Sequence, residues 1–293
     1  GDHLDYHQTM GSYFAAKRRL FEGLRRNATA VINFDDPRGE ELAKATKAAV
    51  RSYGLMPLAD VQGRIDEISF NGTEFSLLAD GKQWAAHSKM IGRHNVFNSL
   101  AAACATRALG VDRDVIVQAL GTLELVPGRL ASVETHGDYR VFVDYAHTDD
   151  ALVNVLTSLR PITPGRLIVV FGCGGDRDQS KRPRMLQAAL DNAVHVVITS
   201  DNPRSEDPQA IVDDILAGAD PLSTDRIDVK LDRHDAISCA ITMARHGDVV
   251  LIAGKGHETY QIIGEQRLDF DDVQVAKECI ALRAATRQDG DDE

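Results

Sequence analysis

The stretch from Leu167 to Arg204 constrains the fold of this chain more than any other. The apolar run Leu167–Phe171 is rich in β-branched side chains and too short for a helix, so it predicts a buried strand. A glycine-rich loop follows, a helix is predicted from about Arg184 to Asn192, and a second apolar run ends in Asp201-Asn202-Pro203-Arg204. Parallel strands joined by a helix place their polar loops at one edge, where such units bind ligands.

Two further strand ends repeat this layout. Val249–Ala253 runs into Gly254-Lys255-Gly256-His257-Glu258, and Val141–Val143 runs into Asp144-Tyr145-Ala146-His147-Thr148. A single glycine-rich loop of this kind is usually an ordinary turn. Four charged strand ends on one edge are harder to explain as turns, because such charges must either pair or meet a ligand.

The two halves of the chain differ in pattern. Strands and helices alternate from residue 127 onward, which predicts a mostly parallel sheet covered on both faces. Before that point we predict a strand at Thr29–Phe34 and a helix at Glu40–Ser52, followed by β-hairpins with turns at Asn71-Gly72 and Asp80-Gly81. We therefore place one domain at residues 1–126 and a second at residues 127–293.

Composition excludes several classes of protein. The net charge of −11 argues against a general nucleic-acid binder, and no apolar run approaches the length of a membrane span. The four cysteines are widely spaced and favour a reduced, cytoplasmic setting. We expect three of them to be buried in helices, whereas the glycine loop around Cys173 permits exposure but does not by itself indicate a nucleophile.

Several polar residues in the first half permit two interpretations. The histidines and aspartates of residues 2–7 suit a divalent metal, but a polar loop explains them equally well. Lys17, inside a predicted helix from Ser12 to Leu24, has the spacing of a surface lysine. Asn95 and Asn98 flank the start of a helix predicted at Val96–Leu109, where capping alone would account for them.

Taken together and in order, the motifs resemble those of the Mur ligases, the ATP-dependent amide-forming enzymes of peptidoglycan precursor synthesis. The resemblance covers nearly the whole chain, and it rests on Gly92–Asn98, Val143–Thr148, Phe171–Asp178, Asp201–Arg204 and Gly254–Glu258. It implies an α/β fold in which residues 1–126 are part of the central ATPase domain. Residues 127–293 would then form a Rossmann-like C-terminal domain that binds the amino acid.

The resemblance also implies ATP and Mg²⁺ as cofactors. Lys17 matches a lysine carried as a carbamate near the transferring phosphate, and His3 matches a ligand of the same metal. Arg129 is the third catalytic candidate, together with Lys17 and His3. The nucleotide candidates are Asn95 for adenine, Asp144 for ribose, Arg129 near the phosphates, and His147 and Lys181 for the same cleft.

Within the family the chain resembles the members that add meso-diaminopimelate to a UDP-N-acetylmuramoyl-dipeptide. The implied amino-acid site consists of Arg177 and Arg204 for carboxylates, with Asp201, Asn202, Pro203, Gly254 and Glu258 around the distal amino and carboxyl groups. A lysine-adding enzyme would have no distal carboxylate for Arg204, so a buried guanidinium would be left unpaired there. The implied reaction is phosphorylation of a substrate carboxylate, followed by attack of the amine on the acyl phosphate, in a monomer.

One departure from the family is an absence. The chain contains no G-x-x-x-x-G-K-[ST] phosphate loop, so we expect it to begin inside the central domain and to be inactive alone. The alternative function is a non-catalytic module that binds diaminopimelate. A nicotinamide-dependent dehydrogenase is ranked last, because Gly172–Gly175 does not fit G-x-G-x-x-G. Asp201–Arg204 argues against folate polyglutamation.

Overall fold

The computed structural model describes residues 9–124 and 126–290, with side chains described as far as residue 286. These residues fall into two compact units, which divide between residues 125 and 126. No helix in the described ranges is both long and apolar enough to cross a membrane. Each unit contains its own sheet and its own buried apolar core.

The first unit is a five-stranded sheet with helices. Its elements are α1 (Met10–Glu22), β1 (Thr29–Asn33), α2 (Gly39–Ala45), β2 (Ala49–Gly54), β3 (Val61–Ser69), β4 (Gly72–Ala79), β5 (Lys82–Ser88), α3 (Arg93–Ala108) and α4 (Arg113–Thr122). The strands lie in the order β1-β2-β3-β4-β5, with β1 to β3 parallel and β3 to β5 antiparallel. The predicted hairpins are therefore present, with Gly72 and Gly81 at positive φ in their turns.

The helix predicted at Glu40–Ser52 is wrong in its second half. The helix α2 ends at Ala45, Thr46 is extended, and β2 begins at Ala49. Residues 49–53 pair in parallel with β1, from Thr29↔Ala49 to Asn33↔Tyr53. The alanines of this segment favour a helix locally, but a strand here extends the sheet, and tertiary pairing overrides a weak propensity.

The second unit is the α/β unit predicted from the alternating pattern. Its elements are β6 (Ala131–Val133), β7 (Arg140–Asp144), α5 (Asp149–Leu159), β8 (Leu167–Phe171), α6 (Lys181–Asn192), β9 (His195–Ile198), α7 (Pro208–Leu216), β10 (Ile227–Val229), α8 (Arg233–Met243), β11 (Val249–Ala253), β12 (Tyr260–Ile263), β13 (Gln266–Asp269) and α9 (Asp272–Gly290). The six-stranded sheet has the order β10-β9-β8-β11-β7-β6, and only β6 is antiparallel to its neighbour.

Both faces of this sheet are covered. On one face Ile168 and Val170 of β8 pack with Ile237 of α8 and Ile280 of α9. The alternate side chains of β8 point the other way and are equally buried, since every residue of β8 has 0% exposure. The apolar runs read from the sequence are thus central strands, and their carboxyl ends lie on one edge.

Candidate functional site

The four predicted strand ends belong to four adjacent strands. In the sheet order β9-β8-β11-β7, each neighbouring pair is parallel, so the loops after these strands emerge at the same edge. Gly254, directly after β11, has φ of +116° and donates its amide to the carbonyl of Asp144 at 3.1 Å. The prediction that these loops share one edge of the sheet is therefore confirmed.

The segment Asp201–Arg204 after β9 is fastened to the hairpin of β12 and β13. Asp201, Asn202 and Pro203 are buried and Arg204 is half-buried. The contacts are Gln261 Nε2 to the Asp201 carbonyl at 2.8 Å, the Ile262 amide to Asn202 Oδ1 at 3.0 Å, the Arg204 amide to the Ile262 carbonyl at 3.0 Å, and the Gly264 amide to the Arg204 carbonyl at 2.7 Å. The hairpin, which no sequence motif indicated, thus holds the segment in place.

Lys255 lies beneath this segment with 0% exposure. Its ammonium is 3.2 Å from Asp201 Oδ1, donates to Asn202 Oδ1 at 3.0 Å and donates to the Tyr260 carbonyl at 2.8 Å. Burial lowers the pKa of Lys255 from its ordinary value, although the nearby Asp201 carboxylate opposes that shift. The charge at the end of β11 is therefore paired within the protein.

Glu258 is half-buried and is held by two neutral donors. Asn202 Nδ2 donates to Glu258 Oε2 at 3.0 Å, and the hydroxyl of Tyr145 lies 3.4 Å from Oε1. Burial, followed by the charge of Glu258, raises the pKa of Tyr145, so the hydroxyl remains a donor. These contacts orient the carboxylate but do not neutralise it.

Arg204 reaches toward the glycine loop after β8. It has φ of +53°, and its NH1 donates to the Gly175 carbonyl at 2.7 Å and to the Asn202 carbonyl at 3.4 Å. A left-handed conformation at a non-glycine residue is uncommon and carries strain, which is found most often at functional sites. Both carbonyls accept hydrogen bonds from the same nitrogen, NH1. The other nitrogens of the guanidinium group can therefore donate to a ligand.

Arg177 and Asp176 occupy the tip of the same loop. Arg177 is exposed and its NH1 donates to the Asp176 carbonyl at 3.0 Å. The side chain of Asp176 accepts from Ser205, with the hydroxyl at 2.7 Å and the amide at 3.2 Å, so the loops after β8 and β9 are connected. Arg177 thus lies on a loop that is fastened to the segment containing Arg204.

Two buried arginines that no sequence motif indicated support these loops. Arg182, with 0% exposure, donates to Glu206 Oε1 at 2.9 Å, to Asp214 Oδ2 at 2.8 Å and to the Gly174 carbonyl at 3.4 Å. Arg233 is 1% exposed and donates to the Ala253 carbonyl at 2.9 Å. Both follow polar loops in the sequence, where exposure is the usual expectation.

Cys173 is not exposed, although its place in a glycine loop permitted exposure. It is 2% exposed, its sulfur lies 3.6 Å from that of Met185, and burial raises the pKa of its thiol to about 12. A Cβ on the preceding Gly172 would lie 2.3 Å from the Thr199 carbonyl, so the two loops approach each other closely. The loop folds inward at Cys173, which therefore has no thiolate to offer as a nucleophile.

The remaining candidates of the second unit cluster around Tyr145. Asp144 is 7% exposed, and its carboxylate accepts from the amides of Leu130 and Ala146, both at 2.8 Å. Burial raises the pKa of Asp144, and these two bonds oppose that rise. The exposed Arg129 lies with its guanidinium 5.2 Å from the ring centroid of Tyr145.

The side chain of Lys181 is hydrogen-bonded to the backbone of His147. His147 Nδ1 is 2.8 Å from the Tyr145 carbonyl, and the two rings are 4.7 Å apart in an edge-on arrangement. Lys181 Nζ donates to the His147 carbonyl at 2.9 Å. The two weaker candidates for the nucleotide cleft are therefore neighbours of Asp144.

The first unit contains the catalytic and metal candidate Lys17 and the adenine candidate Asn95. Lys17 is exposed on α1, with its ammonium 4.5 Å from the ring centroid of Tyr13. Asn95 does not cap α3, whose N-cap is Gly92. It lies in the first turn, 7% exposed, donates to the Ile91 carbonyl at 2.9 Å and accepts from Asn98 Nδ2 at 3.3 Å. His3 lies outside the described residues.

Two family models match the chain. The model described as the Mur ligase middle domain matches residues 1–106, and the model described as Mur ligase, glutamate ligase domain, matches residues 128–256. The matched segments cover most of both units. Residues 107–127 lie between the two matches, and this interval includes the boundary between the units.

Curated and solved proteins agree with these models. The UDP-N-acetylmuramoyl-L-alanyl-D-glutamate–2,6-diaminopimelate ligase of Syntrophomonas wolfei is 45% identical over 281 residues, which are 95% of this chain and 58% of that protein. A solved structure of a ligase with the same name is 40% identical, covers 97% of this chain and 58% of the other, and has a TM-score of 0.62. The MurF ligase of Thermotoga maritima, solved in complex with ADP, shares the fold at 18% identity, with a TM-score of 0.69 over 98% of this chain and 60% of that one. The chain thus spans about 58% of the length of the curated relatives it matches.

Proposed function

This chain belongs to the Mur ligase family, and on that basis we propose that it is the amino-acid-binding and partial ATP-binding portion of a diaminopimelate-adding ligase. The reaction would join meso-diaminopimelate to UDP-N-acetylmuramoyl-L-alanyl-D-glutamate in peptidoglycan precursor synthesis. In this proposal residues 1–126 belong to the ATP-binding domain and residues 127–293 to the amino-acid-binding domain. The enzyme would act as a monomer in the cytoplasm.

The observation that carries the proposal is the presence of one cationic and one anionic side chain, each with neutral partners, at one edge of the sheet. Arg204 is half-buried, and among the described residues the Glu258 carboxylate accepts hydrogen bonds from two neutral donors. An amino acid with a carboxylate and an amine at its distal end matches both charges, whereas L-lysine would satisfy only Glu258. Planar two-point pairing with a carboxylate favours arginine over lysine, and Arg177 would bind the second carboxylate in the same way.

The residues proposed for the nucleotide are compatible with that role. Asn95 makes two side-chain hydrogen bonds among the described residues, and an amide can make up to four, so a donor and an acceptor are left for adenine. Asp144 keeps further acceptor capacity for a ribose hydroxyl beside its two amide partners. The exposed amine of Lys17 can accept CO₂ as a carbamate, which together with His3 would hold Mg²⁺.

The contribution of this chain to the reaction would be binding and orientation. ATP with Mg²⁺ would supply the phosphoryl group that activates the substrate carboxylate and neutralise its charge. Arg129 would counter charge near the phosphates, with His147 and Lys181 beside it. Asp201, Asn202, Pro203 and Gly254 would shape the pocket in which the incoming amine is held for attack.

Calorimetric titration of this chain tests the proposal. We expect meso-diaminopimelate to bind and L-lysine to bind at least tenfold more weakly. Arg204→Ala should abolish the preference, whereas Arg245→Ala, at an exposed arginine of the same unit, should leave it unchanged. Equal affinity for both amino acids in the wild-type chain would refute the assignment of the substrate.

A further inference from the structure

The amide of Asn202 has only one orientation compatible with its surroundings. Its Oδ1 accepts from Lys255 Nζ and from the Ile262 amide, both at 3.0 Å, which occupies both lone pairs of the carbonyl oxygen. A rotation of 180° would turn the amide hydrogens toward an ammonium and a backbone N–H. Two hydrogen bonds would be replaced by two donor–donor contacts, so Nδ2 must point toward Glu258.

Of the two donors that enforce this orientation, Lys255 is the one contributed by a side chain. Its residue is 0% exposed, so solvent does not compete for its hydrogens. Its ammonium donates hydrogen bonds to Asn202 Oδ1 and to the Tyr260 carbonyl, and it lies 3.2 Å from Asp201 Oδ1 in an ion pair. The ammonium therefore holds Asn202 between β11 and the hairpin.

The two buried cations of this cluster, Lys255 and Arg233, lie beside carboxylates other than Glu258. Its ammonium lies beside Asp201, and Arg233 is paired with Asp272. In this cluster Glu258 receives hydrogen bonds from Asn202 and Tyr145, and neither of these donors is charged. One net negative charge, fixed in direction by the Asn202 amide, remains at Glu258.

We propose that Lys255 is a positioning residue that fixes the Asn202 amide, and through it the Glu258 carboxylate, for a cationic amine of the incoming amino acid. The part concerning the amine rests on the proposed function. Lys255 itself touches no ligand, because its side chain is enclosed. No role for it follows from the resemblance, which assigns only its neighbours Gly254 and Glu258.

The first test measures the exchange of the Asn202 side-chain amide protons with water and needs no ligand. In ¹⁵N-edited NMR spectra we expect the two Asn202 side-chain amide protons of the wild-type chain to give separate signals that exchange slowly with water. Lys255→Met should accelerate that exchange at least tenfold, whereas Lys277→Met, at an exposed lysine of α9, should not. Unchanged Asn202 signals in Lys255→Met would overturn the proposal.

The second test measures how the loss of Lys255 affects ligand binding. Lys255→Met should weaken meso-diaminopimelate binding at least tenfold in calorimetry, with the melting temperature recorded for each variant. A mobile Asn202 amide combined with wild-type affinity would overturn the link to Glu258. If the wild-type chain binds no meso-diaminopimelate, the proposed function fails, while the exchange rates still decide the role of Lys255.

A second variant covers the case in which Lys255→Met does not fold. Asn202→Asp keeps an acceptor for Lys255 and for the Ile262 amide, but it places a carboxylate oxygen opposite Glu258. We expect this variant to fold and to bind meso-diaminopimelate at least tenfold more weakly than the wild type. Wild-type affinity in Asn202→Asp would overturn the proposal, because Glu258 would then not depend on the amide.

Discussion

Arg233 and Asp272 form a two-point ion pair that is enclosed in the second unit, with Nε to Oδ1 and NH2 to Oδ2 both at 2.8 Å. Neither side chain has any exposure. The same guanidinium donates to the Ala253 carbonyl at 2.9 Å and lies 3.4 Å from the Ser200 carbonyl. It therefore joins the last residue of β11 to the loop after β9, directly beside Gly254 and Asp201.

Replacing Arg233 with methionine should destabilise the protein strongly. Removal of one partner from a buried ion pair leaves an uncompensated charge, and such changes cost about 3–5 kcal/mol. Urea unfolding at pH 7 measures the loss in free energy of unfolding. Arg184→Met is the matched control, because the pair of Arg184 with Asp149 is partly exposed, and such pairs contribute about 0–1 kcal/mol. Equal losses in both variants would contradict the prediction.

Alanine substitutions at Gly174 and Gly175 should separate binding from stability. A Cβ on Gly174 would meet Arg204 NH1 at 2.9 Å, and this flexible group can move aside. We expect Gly174→Ala to weaken meso-diaminopimelate binding by about tenfold, or about 1.4 kcal/mol. The free energy of unfolding should change by less than about 1 kcal/mol.

At Gly175 the new Cβ would lie 1.9 Å from the Pro203 carbonyl oxygen, which the backbone holds in place. Overpacking against rigid atoms costs about 1–3 kcal/mol, so Gly175→Ala should be the less stable variant in urea unfolding. The ligand titration of Gly174→Ala and the unfolding of Gly175→Ala are measured side by side. A more stable Gly175→Ala variant would show that the two loops are not in close contact.

Asp248 should make stability depend on pH in the acidic range. Burial alone would raise the pKa of this carboxyl. Hydrogen bonds from the side chain and amide of Arg166 and from the amide of Arg245 outweigh burial and lower the pKa. Because the folded-state pKa lies below the unfolded value of about 3.9, the stabilisation is complete above that pH and disappears as the pH falls through the folded-state value.

Asp248→Asn should therefore cost about 2 kcal/mol at pH 7, since hydrogen bonds to a charged group contribute about 1.5–3 kcal/mol. The difference from the wild type should shrink below pH 4. Urea unfolding between pH 7 and pH 3 measures it. Asp225→Asn, at an exposed aspartate, serves as the control and should change stability by less than about 0.5 kcal/mol. A difference that stayed constant at low pH would rule out this role of Asp248.

The cysteines should react with thiol reagents in a defined order. Burial raises the pKa of Cys173 to about 12 and that of Cys104 to about 11, so neither forms much thiolate at pH 8. Cys239 is partly exposed and should be modified first. Peptide mapping after brief alkylation of the native protein identifies the sites, and Cys239→Ser should remove the early product. Early modification of Cys173 in the native state would contradict its burial.

Features that depend on local backbone chemistry could be predicted from the sequence. The hairpin at Asp80-Gly81 forms because Gly81 adopts a φ of +68° that suits few other residues. The buried strands β8 and β11 follow from uninterrupted apolar runs. The common edge of their loops follows from the parallel direction of strands that are joined by helices.

Features that depend on distant partners could not be predicted. Arg233 is buried because Asp272 lies opposite it, 39 residues farther along the chain, and no local pattern indicates this. The burial of Cys173 requires Met185 to pack on it from α6. Residues 49–54 form a strand only because β1 lies beside them. In each case a contact between distant segments overrides the preference of the local sequence.

The hairpin of β12 and β13 determines which segments of the second unit should unfold locally together. Its bonds to Asp201, Asn202 and Arg204 join segments that are about 60 residues apart, so one segment cannot detach while the other stays in place. Amides at 201–204 and at 260–264 should consequently behave as one cooperative opening unit in hydrogen exchange. A ligand bound at Arg204 would then slow the exchange of a hairpin that it does not touch.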